Sequence, residues 1–205
     1  MSEPVQQGVF LIECQLRDPP AAALGRALAD LQADGALAGG AIRAFQVISE
    51  PRLTIYLSDV PFSRQETVRA AAHRHLQDLA EGDIEVSRLA TQTMVLGASQ
   101  GTDTDYHLVV RTNVADGGWP ELVRWYDEEH LGILASTPGC ALALRFVSED
   151  APPRSYACYD VASPAVIETP HWLSARQTEW SSRVRPTFRD TRRFVSRRIK
   201  LDAAS

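Results

Sequence analysis

The sequence predicts an α+β chain made of two tandem β-α-β-β-α-β units, packed sheet to sheet as an intrachain α/β barrel. Three observations carry this. The order of apolar runs, amphipathic stretches and turn residues is the same before and after a small polar segment, residues 97–104 (G-A-S-Q-G-T-D-T), which reads as a linker. Residues 45–60 (F-Q-V-I-S-E-P-R-L-T-I-Y-L-S-D-V) are similar to 145–161 (R-F-V-S-E-D-A-P-P-R-S-Y-A-C-Y-D-V): each has a strand, an S-E turn, a P-R and a second strand ending D-V. Each half, about 100 residues, is long enough to bury a core of its own. The expected division is 1–98 and 105–205, joined by 99–104.

In the first half, G-V-F-L-I-E-C-Q-L (Gly8–Leu16) is apolar almost throughout, as a mostly buried strand would be. Asp18-Pro19-Pro20 starts a helix with Asp18 as N-cap; Leu24, Leu28 and Leu31 form its buried stripe, and Asp34-Gly35 ends it. Gly39-Gly40 opens a strand over 41–49, and Pro51 separates it from another over 53–57. Ser63-x-x-Glu66 is a capping-box pattern for a helix through Leu79, closed near Gly82. Residues 84–96 read as a long strand.

The second half repeats the series: a strand at 106–112, a helix at 120–136, strands at 140–147 and 155–161, a helix capped by Thr169-Pro170 running to Val184, and a long strand at 188–201. Four strands and two helices per half is the ferredoxin-like arrangement. The sheet face away from the helices is also apolar and needs a partner, which the other half supplies.

With 44% hydrophobic and 23% charged residues the chain is globular in composition. A net charge of −5 argues against a nucleic-acid binder, whose footprint is basic. Cys14, Cys140 and Cys158 are odd in number with no C-x-x-C, which suits reduced, buried thiols in the cytoplasm. The start M-S-E-P-V-Q-Q lacks the basic residues and apolar run of a secretory leader. No apolar stretch approaches the ~20 residues of a membrane span. The expected partner is a small hydrophobic molecule, with neither nucleic acid nor membrane, and the expected state is a monomeric pseudo-dimer or a homodimer. G-x-G-x-x-G, P-loop, G-x-S-x-G and H-E-x-x-H patterns are absent, so no cofactor and no metal is expected.

The most informative stretch is W-P-E-L-V-R-W-Y-D-E-E-H-L-G-I-L-A-S-T-P-G, residues 119–139. Pro120 suits a first helical position and Thr137-Pro138-Gly139 a stop. At helical spacing Leu122, Tyr126, His130 and Ile133 form one stripe, so a histidine sits on the buried face. The matching first-half helix, A-A-A-L-G-R-A-L-A-D-L-Q-A-D-G, has neither histidine nor aromatic residue.

W-Y-D-E-E-H-L followed by P-G, with the closing R-V-R-P-T-F-R-D-T-R-R-F-V, resembles the dimeric α/β-barrel superfamily, and within it the EthD-like branch. The resemblance covers residues 105–200; the first half joins by topology only. It implies a cavity between sheet and helices with the helix histidine facing it. It also implies activities ranging over cofactor-independent oxygenases, polyketide cyclases, decarboxylases or dehydratases, beside many members of unknown role.

His130 therefore has two readings, a general acid/base or a buried structural pin hydrogen-bonded to a neighbour. Asp127 and Tyr126, at i−3 and i−4, are placed to orient it, and these three form the catalytic set. Arg111 and Arg145 are the expected binders of a substrate carboxylate or enolate, with His107 on the face of Arg111. Trp119, Trp125 and Tyr159 are the expected aromatic walls, with Tyr156, Trp172 and Trp180 as further aromatics that core packing also explains. The basic run from Arg183 to Arg198 reads as a charged edge strand that discourages aggregation. The predicted function is cofactor-independent lyase, cyclase or monooxygenase chemistry on an aromatic or polyketide-like substrate, or else non-catalytic binding of such a ligand.

Overall fold

The computed structural model describes residues 8–201; the N-terminal segment read for a leader lies outside them. The first half runs β1 (Gly8–Leu16), α1 (Ala21–Gln32), β2 (Ala41–Val47), β3 (Arg52–Ser58), α2 (Gln65–Leu76) and β4 (Ala80–Leu96). The second runs β5 (Tyr106–Val114), α3 (Trp119–Trp125), a π-helical turn (Tyr126–His130), α4 (Leu131–Ala135), β6 (Cys140–Ser148), β7 (Ser155–Val161), α5 (Pro170–Ser174), α6 (Glu179–Val184) and β8 (Phe188–Ile199). Hydrogen bonding passes through the strands in the closed order β1-β3-β2-β8-β5-β7-β6-β4. The expected α+β class and the β-α-β-β-α-β order of each half are both present.

In the first half β1 pairs antiparallel with β3 and with β4, and β3 with β2. Phe10, Ile12, Cys14 and Leu16 alternate onto the helix-covered face, where they join Leu24, Leu28 and Leu31 of α1 and Val68, Ala72 and Leu76 of α2. In the second half β7 lies between β5 and β6, again antiparallel. Its own core gathers Leu108, Leu122, Leu131, Ala143, Ala157 and Val161.

The compact units do not follow the halves of the sequence. One reaches to Ala90 and resumes at Ser196; the other spans Thr91–Val195. Each half's long last strand thus ends in the opposite unit, β4 from Thr91 and β8 from Ser196. The segment expected as a linker is not free chain. Gly97 N donates to Ala141 O at 2.9 Å and Ser99 N to Cys140 O at 2.9 Å, while Ser99 Oγ accepts from Gly139 N at 2.8 Å. A side chain at Gly97 would collide with the Cys140 carbonyl, so close backbone approach requires glycine there.

Local chemistry departs from expectation at three helix starts. Asp18 has φ 55° and does not cap α1; Pro20 takes the N-cap place without a side-chain bond. The Ser63/Glu66 capping box does not form, because Pro61 and a 3₁₀ turn at Phe62–Arg64 wind the chain before α2 begins at Gln65. The helix expected from Thr169 to Val184 is broken into α5 and α6. Thr169 caps the first, accepting from Trp172 N at 3.3 Å. Thr178 caps a second start, accepting from Ser181 N at 3.0 Å.

Candidate functional site

The π turn organises the site. In an α-helix residues five apart point about 140° away from each other. The wider turn over Tyr126–His130 brings such a pair together: the Trp125 and His130 rings stack with centroids 3.9 Å apart and planes 21° apart. The buried stripe changes accordingly. Leu122, Tyr126 and His130 keep their expected places, but Ile133 is only partly buried and Leu134 takes the inner position. Such turns recur where a helix must re-aim side chains for function.

The loop between α5 and α6 fixes both rings. The Ala175 carbonyl accepts from His130 Nδ1 at 3.2 Å and from Ser181 Oγ at 2.6 Å, and Ser181 Oγ accepts from Trp125 Nε1 at 3.2 Å. Two further bonds tie the same elements: Thr178 Oγ1 donates to Glu129 at 2.7 Å, and Trp180 Nε1 to Glu121 at 2.6 Å. A carbonyl can only accept, so Nδ1 carries the proton and Nε2 the lone pair. His130 is 7% exposed, and burial lowers its pKa to about 3, with Arg185, Arg176 and Arg193 acting the same way against the opposing Ala175 bond. The imidazole is therefore neutral across the physiological range.

His130 opens on a cavity of about 300 Å³ between the helices and the sheet of this unit. Leu108 and Val110 of β5 and Tyr159 of β7 form its floor, with Trp172 edge-on to Tyr159 at 5.1 Å. Tyr126 lies beside His130, ring centroids 5.6 Å apart. Among the described residues neither the Tyr126 nor the Tyr159 hydroxyl has a protein partner. Burial, the largest cause in both, raises their pKa, so both remain protonated donors. Phe188 and Thr191 of β8 complete the wall although they are an odd number of residues apart. Asp190, with φ 52°, breaks the strand's alternation between them.

Three arginines reach this cavity: Arg176 from the α5–α6 loop, Arg185 just after α6, and Arg193 from β8. No aspartate or glutamate lines it, and among the described residues none of the three guanidinium groups has a carboxylate partner. Desolvation first, then mutual repulsion, lowers the pKa of Arg185 and Arg193.

The expected site residues divide. Trp125, Tyr126, His130 and Tyr159 meet at the cavity. Asp127 does not reach His130: it accepts from Arg145 Nε at 3.2 Å and Nη2 at 3.3 Å, and from Thr93 at 2.5 Å. Arg145, 2% exposed, is thereby held by a protein carboxylate. His107 and Arg111 fall on the opposite sheet face from Leu108 and Val110, by strand alternation. There His107 Nδ1 sits 2.7 Å from Asp160, and the Arg111 guanidinium lies over Tyr156 and Phe194 at 5.2 and 5.0 Å. Trp119 carries Arg154 over its ring at 4.8 Å, away from the cavity. Sequence reasoning missed Arg176, Arg185, Arg193, Phe188 and Thr191 as site residues. For Arg185 and Arg193 the usable signal is the basic run from Arg183, with the break at Asp190 setting the side of the strand; Arg176 lies before that run.

The sequence matches no family model and no curated protein. Among solved structures, the chain is similar to a protein of Lactobacillus acidophilus described as a candidate monooxygenase, at 12% identity over 94% of each chain with a TM-score of 0.67. A Fusobacterium nucleatum protein of the same description aligns with 97% of this chain and 94% of its own, at 9% identity and a TM-score of 0.70. An anthrone oxidase-like protein is 12% identical over 95% of this chain and 92% of its own, TM-score 0.65. At these identities the likeness is one of fold. That fold is α+β, with eight strands in a closed order and a ferredoxin-like β-α-β-β-α-β order in each half of one polypeptide.

Proposed function

We propose that the cavity beside His130 binds a small, flat, oxygen-bearing aromatic substrate, and that the protein is an enzyme converting it through a proton transfer to His130. The carrying observation is the neutral imidazole itself. Its Nδ1–H is fixed on the Ala175 carbonyl, its face is stacked on Trp125, and its Nε2 is left for a ligand. Nε2 takes the proton of a phenol or enol, breaking the O–H bond and leaving its electron pair on oxygen. The new imidazolium keeps its bond to Ala175 and gains from the Trp125 face. The substrate anion is stabilised by the Tyr126 and Tyr159 hydroxyls and by the arginine field, donors set before charge develops. Such an anion can react with dioxygen, close a ring or lose carbon dioxide. The monooxygenase and anthrone oxidase-like descriptions of the structural neighbours support the first, and the EthD-like resemblance fits the class. Asp127, committed to Arg145, positions the π turn from outside.

Anthrone with dioxygen gives anthraquinone and water, and both oxygen uptake and quinone absorbance are measurable. The expected result is turnover that falls by about 10²-fold or more in His130→Gln with little change in thermal midpoint. Turnover that survives the substitution, or no turnover of anthrone, overturns the reading. A second reading, a protein that holds such a ligand unchanged, is favoured by the low proton affinity of His130 in the free cavity. It predicts anthrone binding without consumption.

A further inference from the structure

The arginines that reach the cavity come from three separate elements, and nothing in the packing calls for them there. Arg176 follows Ala175, whose carbonyl anchors His130; Arg185 follows α6; Arg193 lies two residues beyond Thr191 on the cavity-facing side of β8. Two buried or half-buried arginines elsewhere are matched by carboxylates. Arg145 pairs with Asp127, and Arg52 with Glu50. At the cavity three cations converge, repel one another and meet no acid. Arg185 is half-buried and Arg176 and Arg193 are exposed, so what the three share is convergence of like charge without a counter-ion; a guanidinium fork matches a planar carboxylate with two parallel hydrogen bonds.

We infer that Arg176, Arg185 and Arg193 form a carboxylate-recognition site, and that the natural ligand is an aromatic or polyketide-like acid whose carboxylate lies among them while its rings lie against Leu108, Val110 and Phe188. This rests on the proposed function only for the location of the ligand. It also moves charge recognition away from Arg111 and Arg145, which are engaged elsewhere in the fold. Bound carboxylate would offset the arginine field that adds to burial in keeping His130 neutral, so an acidic substrate raises the basicity of the group that must take its proton. A neutral ligand of equal shape leaves both problems in place.

Calorimetric titration with 2-naphthoate and 2-naphthamide, equal in size and differing in charge, tests the inference. The intact protein is expected to bind the acid at least about tenfold more tightly than the amide, with an affinity that falls as salt rises. Arg193→Gln and Arg176→Gln, both at exposed positions, should each remove much of that preference without altering amide binding, and Arg193→Lys should restore part of it. Equal affinities for the two probes, failure of both to bind at millimolar concentration, or a preference unmoved by any arginine substitution overturns the inference. The outcomes are separable from the catalytic reading. Carboxylate preference without His130-dependent turnover leaves this site standing and removes the reaction. His130-dependent turnover without charge preference does the reverse.

Discussion

Two helices hold the same place in the two halves, and they differ in what they leave between themselves and the sheet. Helix α1 is a regular run of 12 residues whose Leu24, Leu28 and Leu31 seal the first core. Its counterpart is interrupted by a π turn, carries aromatic and imidazole rings where α1 carries leucines, and borders a cavity of about 300 Å³. Equal topology therefore does not mean equal interior. Here the regular helix packs into a filled core, and the irregular one borders the cavity.

The strongest way to break this contrast is catalytic. His130→Ala should lower anthrone turnover by about 10²-fold or more, measured as oxygen uptake, whereas Leu28→Ala should leave turnover per folded molecule unchanged. If both reduce it alike, the two helices are not functionally distinct. The stability effects run the other way. Leu28→Ala removes a fully buried side chain and should cost about 2–5 kcal/mol. Ile133→Ala, at the half-buried place beside the π turn, should cost less, as denaturant midpoints would report.

An effect of comparable size comes from pH. Because the folded pKa of His130 is lowered to about 3, the unfolded chain binds a proton that the folded chain refuses between about pH 6.5 and 3. Stability should fall through that window as pH drops, by up to about 1.4 kcal/mol per unit, and should be untouched above it. His130→Phe should flatten this part of the urea-midpoint profile; an unchanged slope would mean that the imidazole is accessible to protons. Smallest of all, Arg193→Gln relieves repulsion at the cavity mouth and should shift stability upward by no more than about 0.5 kcal/mol. A clear loss instead would reveal an unrecognised partner for Arg193.

The element order of both halves could be read from the chain because apolar periodicity and turn residues report it directly, as in Gly8–Leu16 and at Thr137-Pro138-Gly139. His130 and Tyr126 could be placed on a buried face for the same reason. The stacking of Trp125 on His130 could not, since a reading at 3.6 residues per turn puts those two side chains on different faces. Asp127 was within reach of His130 by spacing alone, but Arg145, 18 residues on, competes for it, and that competition is tertiary. Arg185 and Arg193 sat inside an evident run of charge; the left-handed Asp190 that turns the cavity-facing side of β8 leaves no mark in hydropathy.

The exchange of strand ends has a consequence for synthesis. Val47 of β2 pairs with Ser196 of β8, 149 residues later in the chain. At ribosomal speed that interval is roughly 7–30 s. Throughout it the β2 edge of the nascent first sheet lacks its final neighbour, and an open edge is a template for pairing with another chain. The protein is thus exposed to mispairing while it is being made, and only the arrival of β8 ends that exposure.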